Sequence, residues 1–140
     1  MRDDGWGVVM EAGEWTFGLQ ERAAGRVLVV ELHGELDLMA LQELTWRLDM
    51  LSSGPRPDLL VDLRPVTFID ASGMRLLLRL RARVARTGGR LRVVRGTPWV
   101  SEVLRIAQVE QAFTMLDALP PELEPGRAGG GLEAGGSIPA

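Results

Sequence analysis

The amino-acid sequence predicts an α/β domain: a mostly parallel central sheet with an antiparallel edge, and helices packed against it. Three observations carry this. Short apolar runs alternate with segments of helical period, which favours right-handed crossovers between parallel strands. One run, "DLLVDL" (58–63), is apolar over successive residues, as in a strand buried on both faces. Clear start and stop signals bracket the helical segments.

The elements follow in order. Residues 1 to 12 show no period and read as a flexible N-terminal arm. "EWTFGLQE" (14–21) alternates as a strand does. After "RAAG", "RVLVVELH" (26–33) is a second strand, with Leu28, Val30 and Leu32 on one face and Val27, Val29, Glu31 and His33 on the other. The short turn between them makes a hairpin and hence the antiparallel edge. Asp37 is a good N-cap for a first helix, whose stripe is Leu41, Leu44, Leu48 and Leu51. A second helix spans about 71–86 and stops at "TGG" (87–89). "RLRVV" (90–94) is a strand. Thr97 and Pro98 open a third helix as N-cap and first helical residue. "AFTML" (112–116) is a last short strand. From Pro121 to Ala140 the chain is rich in Gly, Ala and Pro and reads as a disordered tail.

Bulk properties narrow the function. At 140 residues the chain suggests a single folded domain, and its net charge of −3 argues against nucleic acid as the main partner. There is no cysteine, which excludes disulfides and thiolate chemistry. The single histidine, His33, excludes a histidine-rich metal site within one chain. No cofactor is expected. The longest apolar runs fall well short of the ~20 residues that span a bilayer, and the acidic N-terminus is unlike a signal peptide. A cytoplasmic location without membrane insertion is the expectation.

The most informative stretch is "FIDASG" (68–73). Asp70 caps the second helix, with Ser72 and Gly73 in its first turn. Glycine there costs about 1 kcal/mol relative to alanine, so close approach of another backbone, in this protein or a partner, is expected. A hydrolase triad of Ser72, His33 and Asp62 or Asp70 lacks the glycine that precedes the serine in a nucleophile elbow. A metal site at Asp62 and Asp70 lacks a phosphate-binding loop. A phosphoserine switch is the third reading. A phosphate adds roughly −1.5 to −2 charges, tolerable at a helix N-terminus but not under a docked partner.

"VVELHGELDLMALQELTWRL", "LLVDLRPVTFIDASGMRLLLRL" and "GGRLRVVRGTPWVSEVLRIAQVEQAFTML" together resemble the STAS domain of bacterial anti-sigma factor antagonists. The resemblance runs over about 14–120 and places a STAS domain at 13–120. It implies a STAS-like fold and a protein that is not an enzyme. It also implies partner switching: the antagonist binds an anti-sigma factor, often a serine kinase, and so frees a sigma factor. Phosphorylation directly after the motif's aspartate abolishes binding, and a metal-dependent serine phosphatase restores it. This chain has Ala71 at that acceptor position and Ser72 at the next. Three outcomes stay open. Ser72 takes the phosphate instead; the antagonist is unswitchable; or the chain is a STAS subunit of a transporter ATPase or other signalling complex, unphosphorylated. The partner-binding candidates are Glu35, Asp37, Asp70, Ser72, Gly73, Met74, Arg75 and Arg79.

Eight of the sixteen basic residues lie between 75 and 95, all arginine. Arg75, Arg79, Arg83 and Arg86 fall near one face of the second helix, either a solvated face, a docking surface for an acidic partner patch, or a nucleic-acid stripe. The four tryptophans, Trp6, Trp15, Trp46 and Trp99, read mainly as packing residues.

Overall fold

In the structure, a computed structural model that describes residues 6–11 and 16–125, three antiparallel strands precede the first helix. They are β1 (Trp6–Glu11), β2 (Phe17–Ala24) and β3 (Val27–Leu36). From there the pairing is parallel. β4 (Asp58–Asp62) lies against residues 28–31 of β3, and β5 (Val66–Ile69) against residues 34–36 of the same strand. β6 (Arg90–Val94) pairs with β4, and β7 (Thr114–Leu116) with β6. The order is β1-β2-β3-β4-β6-β7, with β5 joined to the far end of β3. The crossovers are α1 (Leu38–Leu51), α2 (Ala71–Arg86) and α3 (Pro98–Ile106).

Alternation along the strands divides the interior into two layers. Leu19, Val30, Leu32 and Leu36 face the helices and meet Leu44 and Leu48 of α1, Leu76, Leu77 and Leu80 of α2, and Val100 and Leu104 of α3. Each such leucine contributes about 1.5–3 kcal/mol through burial. On the reverse face Ala24, Val29, Leu60 and Val94 are covered by Leu119 and Leu123, which follow β7. The first-helix stripe is half as deep as the spacing predicts: Leu44 and Leu48 are buried, Leu41 and Leu51 only partly, and Ala40 takes the remaining inner position.

Four expectations from sequence are corrected. Residues 6–11, read as part of the arm, form β1 on the edge of the sheet. β5 was hidden inside "RPVTFID". The strand expected at 14–21 is placed at 17–24. Residues 121–125, read as the start of the tail, contain a 3-10 turn at Pro121–Leu123 that buries Leu123 to 4% exposure. The turn is held by Arg22, itself buried on β2, which donates to the Leu123 carbonyl. Residues 1–5, 12–15 and 126–140 lie outside the described residues, and with them the rest of the expected arm, Trp15 and most of the expected tail.

Because β3 to β7 run parallel where they follow one another, the molecule has two chemically different ends. The heads of α1 and α2 stand at one end, above Leu36 and Ile69. The β2–β3 turn, the α1–β4 loop and the α2–β6 loop gather at the other, called the base below.

Candidate functional site

Leu36 and Ile69 are partners in the β3–β5 ladder, so the residues that follow them start α1 and α2 side by side. Each helix is capped by an aspartate in extended conformation. The Asp37 carboxylate accepts from the Ala40 N–H at 3.2 Å. Asp70 Oδ1 accepts from the N–H groups of Ser72 at 2.9 Å and Gly73 at 3.2 Å. These bonds satisfy first-turn donors that would otherwise lack partners, each cap being worth about 1 kcal/mol. The Asp70 N–H in turn donates to the Leu36 carbonyl at 3.3 Å, locking the two helix heads together.

Gly73 explains how close they come. A Cβ on Gly73 would stand 2.3 Å from the Leu36 carbonyl oxygen and 2.7 Å from Ile69 Cγ1. The close backbone approach expected from sequence is therefore within this chain. Gly73 is buried, its side-chain position filled by β3 and β5. Met74 is also turned inward, packed in part against the main core.

The surface at this end is formed by the rest. Ala71 is exposed and Ser72 half-buried, so the two positions present differently. The Ser72 hydroxyl makes no hydrogen bond among the described residues. Glu35 accepts from the Thr16 hydroxyl at 2.8 Å. Arg75 is exposed, and its guanidinium has no ion-pair partner among the described residues. Arg79 is already engaged: its Nε and Nη2 bond Asp49 of α1 at 2.9 and 2.7 Å. Arg83 also turns to Asp49, at 3.2 Å. The arginine stripe is thus not one continuous docking face; its middle ties α2 to α1.

Sequence reasoning missed the apolar part of the site. Phe68 on β5 and Trp99 on α3 stack with ring centroids 5.7 Å apart and planes inclined by 22°. Trp99 is 51% exposed, Phe68 38% and Leu38, the first residue of α1, 52%. A signal for Trp99 did exist. It falls off the α3 stripe of Val100 and Leu104 that enters the core.

The enzymatic constellations do not assemble. Strand alternation puts His33 on the sheet face opposite α2, where its Nε2 meets Glu31 at 2.7 Å. Asp62 is 2% exposed and its carboxylate is bound by Arg64 at 2.8 Å, whereas Asp70 is spent on its cap. Among the described residues no three His, Cys, Asp or Glu side chains cluster as metal ligands, and no helix is long and apolar enough to cross a membrane.

Comparison with known proteins gives one family and consistent relatives. The family profile described as "Mlab, STAS domain" matches residues 19–119. A STAS-domain containing protein of Pseudomonas aeruginosa (strain UCBPP-PA14) is 30% identical over 91 residues, covering 65% of this chain and 89% of that protein. Among solved structures, an anti-sigma factor antagonist from Mycobacterium paratuberculosis aligns with a TM-score of 0.68 at 20% identity, over 76% of this chain and 91% of that one. The Bacillus cell fate determinant SpoIIAA in its phosphorylated form aligns with a TM-score of 0.58 at 21% identity, over 74% and 94%. At such identities these two likenesses establish the fold.

Proposed function

Because the chain belongs to the STAS domain family of the Mlab type, we propose that it works by docking rather than catalysis, as an anti-sigma factor antagonist. The names of the solved structures that share its fold support this reading. The observation that carries it is the joined head of α1 and α2. There two capped helix ends, an exposed aromatic stack and an arginine with no ion-pair partner among the described residues form one surface. The partner is an anti-sigma factor of the serine-kinase type, with a metal-dependent serine phosphatase reversing its action.

Ser72 is the hydroxyl on which such a kinase would act, since Ala71 cannot take phosphate. A phosphate there gains about 0.3–1 kcal/mol from the helix dipole and is opposed by Asp70, so the fold tolerates it. Under a docked partner the same charge, unpaired and desolvated, costs several kcal/mol, and each ~1.4 kcal/mol is tenfold in affinity. One specific observation favours a second reading. Ala71, not a serine, stands exposed where the family carries its acceptor, as suits a STAS subunit of a transporter ATPase that is never phosphorylated.

Mass spectrometry after incubation with the candidate kinase and ATP tests the switch, using wild type, Ser72→Ala and Ala71→Ser. Phosphate on wild type and not on Ser72→Ala supports the displaced acceptor. Phosphate only on Ala71→Ser supports an antagonist that docks the kinase but has lost the switch. Purification of the native complex then separates the two partners, a sigma-regulating kinase or a transport ATPase.

A further inference from the structure

The base of the domain carries a second surface that the proposed function does not use. Four arginines gather there from different parts of the chain: Arg26 in the β2–β3 turn, Arg56 in the α1–β4 loop, and Arg90 and Arg92 on β6. The fold forces them together, because Asp58 and Arg90 are partners in the β4–β6 ladder. The Arg90 N–H donates to the Pro57 carbonyl at 2.7 Å, and the Arg56 N–H to the Thr87 carbonyl at 3.1 Å. Asp58 is the counter-ion of two of them, 3.7 Å from Arg90 and 3.5 Å from Arg92. It also shares a cavity of about 580 Å³ with Arg26, Pro55 and Arg56. A neighbouring cavity of about 360 Å³ is lined by Arg90, Arg92, Val27, Leu123 and Glu122. One carboxylate cannot neutralise four guanidinium groups, and adding Glu122 still leaves an excess of two positive charges.

Arg56 adds an independent observation. It sits between Pro55 and Pro57 with φ +50°, a left-handed conformation that costs a residue with a Cβ about 1–2 kcal/mol. Glycine or asparagine would relieve that strain. The arginine that stands there is exposed, and Arg26 and Arg56 have no side-chain ion partner among the described residues.

We propose that this base is a second docking surface, which takes an acidic segment of a partner protein. The shape decides between that and a small anion. The guanidinium groups are spread over two adjacent cavities with Asp58 between them, so they fit carboxylates spaced along a chain rather than one phosphate. Val27, Ala24 and Leu123 beside Arg90 and Arg92 supply an apolar wall for a side chain between the acids. Such charge raises association rate and specificity, and it leaves the head of α2 free for its own partner.

The test is a backbone-amide NMR titration of the full chain with the peptide acetyl-Glu-Leu-Glu-Glu-Leu-Glu-amide, its Glu-to-Gln counterpart, and inorganic pyrophosphate, at physiological salt. The expected result is shifts at Arg26, Arg56, Arg90 and Asp58 with the acidic peptide alone. Arg26→Ala with Arg56→Ala should weaken binding about fivefold while thermal unfolding stays cooperative. Equal shifts around Arg75 and Arg81, binding of pyrophosphate but not peptide, or an unaltered affinity in the double variant would overturn it. So would shifts at Arg26 and Arg56 on changing Asp3 and Asp4 to Asn in the peptide-free protein, since the chain's own acidic segment would then be the occupant. These readouts are independent of Ser72 and the head of α2.

Discussion

Phe68 and Trp99 lie face to face, 5.7 Å between ring centroids, though they belong to different elements and neither is buried. Exposed stacked aromatics beside two capped helix heads have the composition of an interface anchor, where tryptophan is enriched. Trp99→Ala is therefore expected to weaken partner binding by about 2 kcal/mol or more. The isolated protein should lose only about 0.5–1.5 kcal/mol, the worth of the stack. Calorimetric titration beside urea unfolding measures both; a large stability loss with unchanged binding would make the pair a packing device.

Gly73→Ala should destabilise the fold although alanine is the better helix former by about 1 kcal/mol. The new methyl would lie 2.3 Å from the Leu36 carbonyl oxygen and force α2 away from β3. A net loss of roughly 1–3 kcal/mol is expected from overpacking, read as a lower urea midpoint. A gain in stability would mean that the helix heads are not locked as described.

Asp49 links α1 to α2 through Arg79 and Arg83. Hydrogen bonding by Arg79 holds its carboxyl below the usual range, aided by the charges of Arg79, Arg83 and Arg86 and opposed by burial. A lowered folded-state value stabilises the protein above the unfolded value of about 3.9, and that contribution is lost as pH falls through the folded one. Asp49→Asn should cost about 0.5–1 kcal/mol at neutral pH, and the difference should fade as pH falls below the unfolded value and through the lowered folded one. Denaturant curves at several pH values check it; a constant difference would show that the charge is not what matters.

The segment after β7 should behave as part of the domain. Leu123→Ala is expected to cost about 2–4 kcal/mol, because Leu123 closes the reverse face over Ala24, Val29 and Leu60. Truncation after Leu116 should lower the unfolding midpoint sharply.

What could be read from sequence was what local chemistry writes. Asp37, Asp70 and Thr97 cap their helices as single residues can, and the alternation of Val29, Val30 and Leu32 assigns the two faces of β3. What escaped depends on distant partners. β5 has only four residues, two of them exposed, and is a strand because β3 extends beyond β4 to receive it. Leu123 sits behind two prolines in a segment of low complexity, and only Arg22, a hundred residues earlier in the chain, reveals why it is ordered. Arg79 looked free because the spacing of α2 says nothing of Asp49 on α1.

The most direct measurement is the affinity of the purified partner for wild type and for Ser72→Glu, by calorimetric titration. A docked surface at the head of α2 predicts at least a tenfold loss with the glutamate and an unchanged unfolding midpoint. Equal affinities would contradict the account, because a charge placed in that contact would then have met no partner there.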